Sequence, residues 1–129
     1  MQRILHTMLR VGDMQRSVRF YTQVLGMKVL RQLDQPDEKY ALTFLGFAEE
    51  SDSCVLELTY NSGVSAYELG TGFGHIAISV HDCKAACAEI KAKGEKVILD
   101  AKLLAGSNEM IAFLVDPDGY KIELIQRVM

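Results

Sequence analysis

The chain contains no apolar run long enough to span a bilayer, which excludes a membrane-crossing helix. It has no excess of positive charge either. The formal net charge is −3, and Lys and Arg are scattered without a basic stripe, so no electrostatic case for nucleic acid exists. Cysteine is scarce: Cys54, Cys83 and Cys87 are an odd number with no Cys-x-x-Cys spacing. Reduced, mostly buried thiols in a cytoplasmic protein are therefore expected, with Cys83 and Cys87 packed on one helix face. Met1-Gln2-Arg3 leads straight into a strand pattern, without signal-peptide architecture, which points to the same compartment. What is present is apolar residue, 49% of 129 positions, enough for the core of one ordinary domain.

Along the chain, apolar and polar residues alternate from Ile4 to Val11, with Leu5, Thr7, Leu9 and Val11 on one face and Ile4, His6, Met8 and Arg10 on the other. Asp13 stands where a helix N-cap belongs, and Met14, Val18, Tyr21 and Leu25 recur at helical spacing until Gly26. Strands are expected at Lys28–Leu33, Tyr40–Phe47 and Cys54–Tyr60. The small and turn-forming residues between Asn61 and Gly74 read as a linker. Its Gly70-Thr-Gly-Phe-Gly74 run leads into a strand rather than a helix, contrary to what a phosphate loop requires. The pattern then restarts: a strand at His75–Val80, an N-cap at Asp82, a helix ending at Gly94, a short strand at Lys96–Leu99, a loop at Ala101–Glu109 and a closing hairpin. Asp116-Pro-Asp-Gly119 forms its turn, between the apolar run Met110–Val115 and the strand Tyr120–Ile125.

Both halves thus read βαβββ, with modules at about 1–61 and 74–129. Superposing them places His6 on His75, Asp13 on Asp82 and Glu57 on Glu123. Glu57 follows His6 by 51 positions and Glu123 follows His75 by 48. A lone strand histidine is more often hydrogen-bonded or half-exposed than metal-bound, and a lone strand glutamate is usually solvated. Repetition of both at matching positions favours a shared task. Two modules related by a pseudo-twofold would gather two imidazoles and two carboxylates, a donor set suited to Zn, Ni, Co, Fe or Mn. Four ligands leave two octahedral positions for water or substrate, the mark of a catalytic site. Strand parity adds Arg10 to the His6 side and Asn61 to the Glu57 side, and Arg suits a small anionic ligand. The competing reading of Arg10 is an exposed strand end. His81, beside the expected cap Asp82, is assigned to the surface.

The segments His6-Thr-Met-Leu-Arg-Val-Gly-Asp13, Phe20-Tyr-Thr-Gln-Val-Leu-Gly-Met27, Leu56-Glu-Leu-Thr-Tyr-Asn61, Gly74-His-Ile-Ala-Ile-Ser-Val80 and Asp116-Pro-Asp-Gly-Tyr-Lys-Ile-Glu-Leu124 closely resemble the glyoxalase I (lactoylglutathione lyase) family. That family lies within the vicinal oxygen chelate superfamily. The resemblance covers essentially the whole chain. It implies an α+β fold of two tandem βαβββ modules with curved mixed sheets. It also implies a carbon–sulfur lyase that converts the hemithioacetal of methylglyoxal and glutathione to S-lactoylglutathione, thereby detoxifying methylglyoxal. A homodimer is implied, each active site taking His6 and Glu57 from one chain and His75 and Glu123 from the other.

Histidine at position 6 resembles the bacterial-type enzymes, implying one divalent metal per site, Ni(II) first, with Co(II) or Zn(II) as alternatives. The metal would stabilise an enediolate while a carboxylate shuttles the proton between neighbouring carbons. By resemblance Glu123 is that base and Glu57 its counterpart, and Arg10 and Asn61 contact glutathione. Two departures leave the thiol open: Ala105 stands where some relatives carry lysine, and the stretch from Glu68 to Gly74 lacks an arginine found in others. The alternatives are another superfamily metalloenzyme, such as a dioxygenase or thiol transferase, and a non-catalytic binding protein of the same fold.

Overall fold

The computed structural model describes residues 1–127; positions 128 and 129, the end of the second expected module, lie outside the described residues. The chain divides into two compact units, Met1–Glu68 and Leu69–Met129. The first holds β1 (His6–Arg10), α1 (Met14–Arg19), β2 (Lys28–Gln35), β3 (Tyr40–Gly46) and β4 (Val55–Asn61). The second repeats that order in β5 (His75–Ser79), α2 (Cys83–Ala92), β6 (Val97–Leu103), β7 (Glu109–Val115) and β8 (Lys121–Arg127). Each unit builds a four-stranded mixed sheet, in the orders β1-β4-β3-β2 and β5-β8-β7-β6. In both, the first strand runs parallel to the last and the remaining pairs are antiparallel. The architecture is the α+β repeat expected from the sequence.

The local chemistry repeats as well. Oδ1 of Asp13 accepts from the Arg16 amide at 3.1 Å and Oδ1 of Asp82 from the Ala85 amide at 3.0 Å. Each cap contributes about 1 kcal/mol by satisfying an amide that has no helical partner. Leu9 and Val11 in the first unit, and Ile122 and Leu124 in the second, sit in the core at 3% exposure or less.

Three expectations are corrected. The expected helix from Met14 to Leu25 is α-helical only to Arg19 and continues as a π-helical turn, Phe20–Val24, in which the Leu25 amide donates to the Phe20 carbonyl. Neighbouring side chains on an α-helix point about 100° apart. The wider π winding lets both Phe20 and Tyr21 reach the core, edge to face with centroids 5.1 Å apart. The first strand begins at His6 on the edge of its sheet, and Leu5 is 58% exposed instead of sharing the buried face of Leu9, although its carbonyl accepts from the Val55 amide at 3.1 Å. The expected loop at Ala101–Glu109 is shorter than expected: residues 104–108 form the turn, while 101–103 belong to β6 and Glu109 opens β7. β6 runs to Leu103, and register shifts between Val97 and Leu99 and between Leu99 and Lys102 break the alternation that would have revealed it.

The β7–β8 turn is built on Asp116, 4% exposed. Its Oδ1 accepts from the amides of Asp118 and Tyr120, each at 2.9 Å, and its carbonyl accepts from the Gly119 amide at 3.0 Å. Gly119 has φ +92°, a conformation that an L side chain would strain. This fixes the register of β8. The residues expected to form the linker attach at both ends: Tyr67 accepts from Asn61 in the first unit, and Phe73 meets Tyr120 edge-on in the second. No helix among the described residues is long and apolar enough to cross a membrane.

Candidate active site

In the parallel β1–β4 ladder His6 lies opposite Val55 and Met8 opposite Glu57. The matching β5–β8 ladder sets His75 opposite Lys121 and Ala77 opposite Glu123. Each register brings a histidine and a glutamate side by side on one face of the sheet. His6 Nε2 is 3.1 Å from Glu57 Oε1, and His75 Nε2 is 3.0 Å from Glu123 Oε1. The imidazoles are 38% and 40% exposed, whereas the carboxylates keep only 12% and 13%. A carboxylate so far removed from water requires a partner.

The donor atoms fit a divalent cation. Two donors about 2.1 Å from one ion and at right angles to each other stand about 3 Å apart, the separation seen in both pairs. Neutral imidazole nitrogen and carboxylate oxygen are ordinary ligands for first-row divalent metals. Among the described residues, no group of three or more His, Cys, Asp or Glu side chains lies close enough to hold a metal. What each unit provides is one His–Glu pair.

Around each pair the structure adds a residue that strand patterning missed. Phe44 lies opposite Glu57 on β3, and Phe113 lies opposite Glu123 on β7. Each ring meets the histidine edge-on, at 5.5 Å for Phe44 with His6 and 5.1 Å for Phe113 with His75. The signal was available in the repeat: both phenylalanines precede their glutamates on the neighbouring strand.

The surroundings then diverge. Arg31, opposite Phe44, lays its guanidinium 3.8 Å above that ring and forks onto Glu50 at 2.7 and 3.1 Å. That hydrogen-bonded pair raises the Arg31 pKa and lowers that of Glu50. The corresponding place opposite Phe113 belongs to Leu99. There a cavity of about 270 Å³ opens beside His75, lined by Phe73, Ile98, Leu99 and Phe113, with Lys121 at hand. Thr59 follows Glu57 by two positions and donates its hydroxyl to Glu57 Oε2 at 2.7 Å; Ile125 stands two beyond Glu123.

The remaining expected residues fall on the first unit. Arg10 lies opposite Thr59 on the exposed side of β1. Asn61 ends β4 with its amide donated to the Tyr67 hydroxyl at 3.2 Å. Alternation places His6, Arg10, Glu57 and Asn61 on the same side of the sheet. His81 is exposed, as its position beside the cap Asp82 suggested.

The profile of the glyoxalase/bleomycin resistance protein/dioxygenase superfamily matches residues 3–124. The lactoylglutathione lyase of Escherichia coli O157:H7 is 56% identical over 124 residues, covering 96% of this chain and 92% of that one. The chain belongs to the glyoxalase I family. Among solved structures of that family, the trypanothione-dependent glyoxalase I of Leishmania major is similar at a TM-score of 0.88 with 50% identity, covering 98% of this chain and 87% of that chain. The glyoxalase I of Zea mays superposes with a TM-score of 0.94 at 49% identity; 98% of this chain corresponds to 45% of the longer maize chain. A glyoxalase I fold of two βαβββ units is therefore shared across enzymes of different chain length.

Proposed function

We propose that this chain catalyses the lactoylglutathione lyase reaction at a divalent-metal centre formed by His6 and Glu57 of one protomer with His75 and Glu123 of another. The observation that carries this reading is the repeated His–Glu pair, in matching register and with matching donor separations of 3.1 and 3.0 Å. When bound, the metal supplies positive charge that stabilises the negative charge developing on the two substrate oxygens. Glu123 accepts the proton from the carbon bearing hydroxyl and sulfur and returns it to the neighbouring carbon. Arg10 and Asn61 bind the peptide portion of the thiol, Arg10 through a carboxylate. Phe44 and Phe113 hold the imidazoles in position through their edge contacts.

A homodimer is supported by the apolar side chains exposed on the first strand and just before it, Ile4 at 73%, Leu5 at 58% and Met8 at 38%. The histidine at position 6 supports nickel or cobalt over zinc. The thiol is glutathione or a close relative. The trypanothione-dependent enzyme of Leishmania major, 50% identical to this chain, supports testing alternatives beside glutathione, as does Ala105 in place of lysine.

The test is an isomerase assay with methylglyoxal and a panel of thiols on metal-stripped protein, before and after adding Ni(II), Co(II) or Zn(II). Activity should be lost on stripping and return best with Ni(II) or Co(II); full activity after chelation would end the metal proposal. In the reloaded protein Glu123→Gln should remove turnover. A variant within about tenfold of the parent, about 1.4 kcal/mol in barrier, would exclude Glu123 as the base.

A further inference from the structure

The two glutamates are equivalent in the repeat but not in their hydrogen bonding. Glu57 has both oxygens engaged, Oε1 facing His6 at 3.1 Å and Oε2 accepting the Thr59 hydroxyl at 2.7 Å. That short contact has the length of a charge-assisted bond, and it forms where Thr59 is only 8% exposed. Glu123 faces His75 through Oε1, and among the described residues no hydroxyl or amide holds its Oε2. The reason is a single difference at one register position. The Val11 amide donates to the Thr59 carbonyl and the Val80 amide to the Ile125 carbonyl, each at 2.9 Å, so Ile125 is the structural counterpart of Thr59. An isoleucine side chain has no proton to donate.

We infer that Thr59 is a positioning residue that ties Glu57 down as a static ligand, while Ile125 leaves Glu123 free to swing as the base. This rests on the proposed metal centre. A proton moved between adjacent carbons needs a carboxylate able to turn, and an oxygen already receiving a hydrogen bond resists turning. The pseudo-symmetric pair is thereby divided into one anchor and one shuttle without any change in the glutamates themselves.

The experiment measures Ni(II) dissociation constants by competition with a chromogenic chelator, together with kcat and KM, on the full protein. Thr59→Val should weaken Ni(II) binding by about tenfold, the scale of a lost hydrogen bond to a ligand, and Thr59→Ser should recover it to within about twofold. Ile125→Thr, which offers Glu123 the same hydroxyl, should lower kcat by about tenfold while Ni(II) binding is kept. If Thr59→Val binds Ni(II) as tightly as the parent, the anchoring role is overturned. Unchanged kcat in Ile125→Thr overturns the freedom assigned to Glu123, and this arm stands even where Thr59→Val fails to fold. Glu57→Gln separates the two levels. Weakened binding there with a normal Thr59→Val rejects only this inference, whereas unchanged binding in Glu57→Gln rejects the metal centre as well.

Discussion

Phe44 meets His6 edge to face, with centroids 5.5 Å apart and ring planes at 83°, although the two residues lie on non-adjacent strands of one sheet. The contact arises because Phe44 is opposite Glu57 on β3 while His6 is on the far side of β4. An aromatic pair of this geometry contributes about 1 kcal/mol beyond area burial. Phe44→Leu keeps most of the apolar volume and loses the ring edge, so Ni(II) binding should weaken by about fivefold. Chelator competition measures it, and an unchanged dissociation constant would show that the ring does not orient the imidazole.

Mixed chains test where the ligands of one site originate. His6→Ala and His75→Ala proteins should each be inactive. Co-refolded together, they should regain a fraction of parental activity, because half of the sites in the mixed dimer then carry a complete donor set. Demonstrated heterodimers with no recovered activity would place all four ligands within a single chain.

Asp116 should be worth more than an ordinary turn residue. Its carboxylate serves the amides of Asp118 and Tyr120 at a site only 4% exposed. Asp116→Ala leaves those amides without that acceptor, at a cost of about 1–3 kcal/mol. Urea denaturation reads this directly. A change under about 0.5 kcal/mol would mean that water replaces the carboxylate.

The thiols should divide by burial. Cys54 is exposed, whereas Cys83 and Cys87 are buried at 0% and 3%. Removal from water pushes the Cys83 pKa up from 9.0 to about 11. The native protein should therefore expose one fast-reacting thiol at pH 8 and all three in denaturant; two or more fast thiols in the native state would contradict the packing. Because the folded pKa is the higher one, the contribution of Cys83 to stability is present below pH 9 and falls as pH rises towards about 11. Alkaline titration of the unfolding midpoint, compared with Cys83→Ala, follows this loss.

Much of this protein was legible from its order of residues. Alternation located the strand bearing Glu123, because period-two patterning reports a sheet with one face on the core: Ile122 and Leu124 are buried, and Glu123 points the other way. The aspartate caps and the glycines ending the helices were readable because capping is local chemistry. The duplication paired His6 with Glu57 and His75 with Glu123 across about fifty positions, since both copies had to repeat the same register. Bulges hid the length of β6, and adjacent aromatics hid the π-helical turn, because each interrupts the period on which the reading depends.

Only tertiary structure decided what surrounds the two His–Glu pairs. Phe44 opposite Glu57, Arg31 above that ring, and Thr59 bonded to Glu57 where Ile125 faces no such task all depend on strand register and side-chain direction. Those are properties of paired strands. A linear pattern marks which residues share a face, but contact across a ladder is set by which residue of the neighbouring strand arrives opposite.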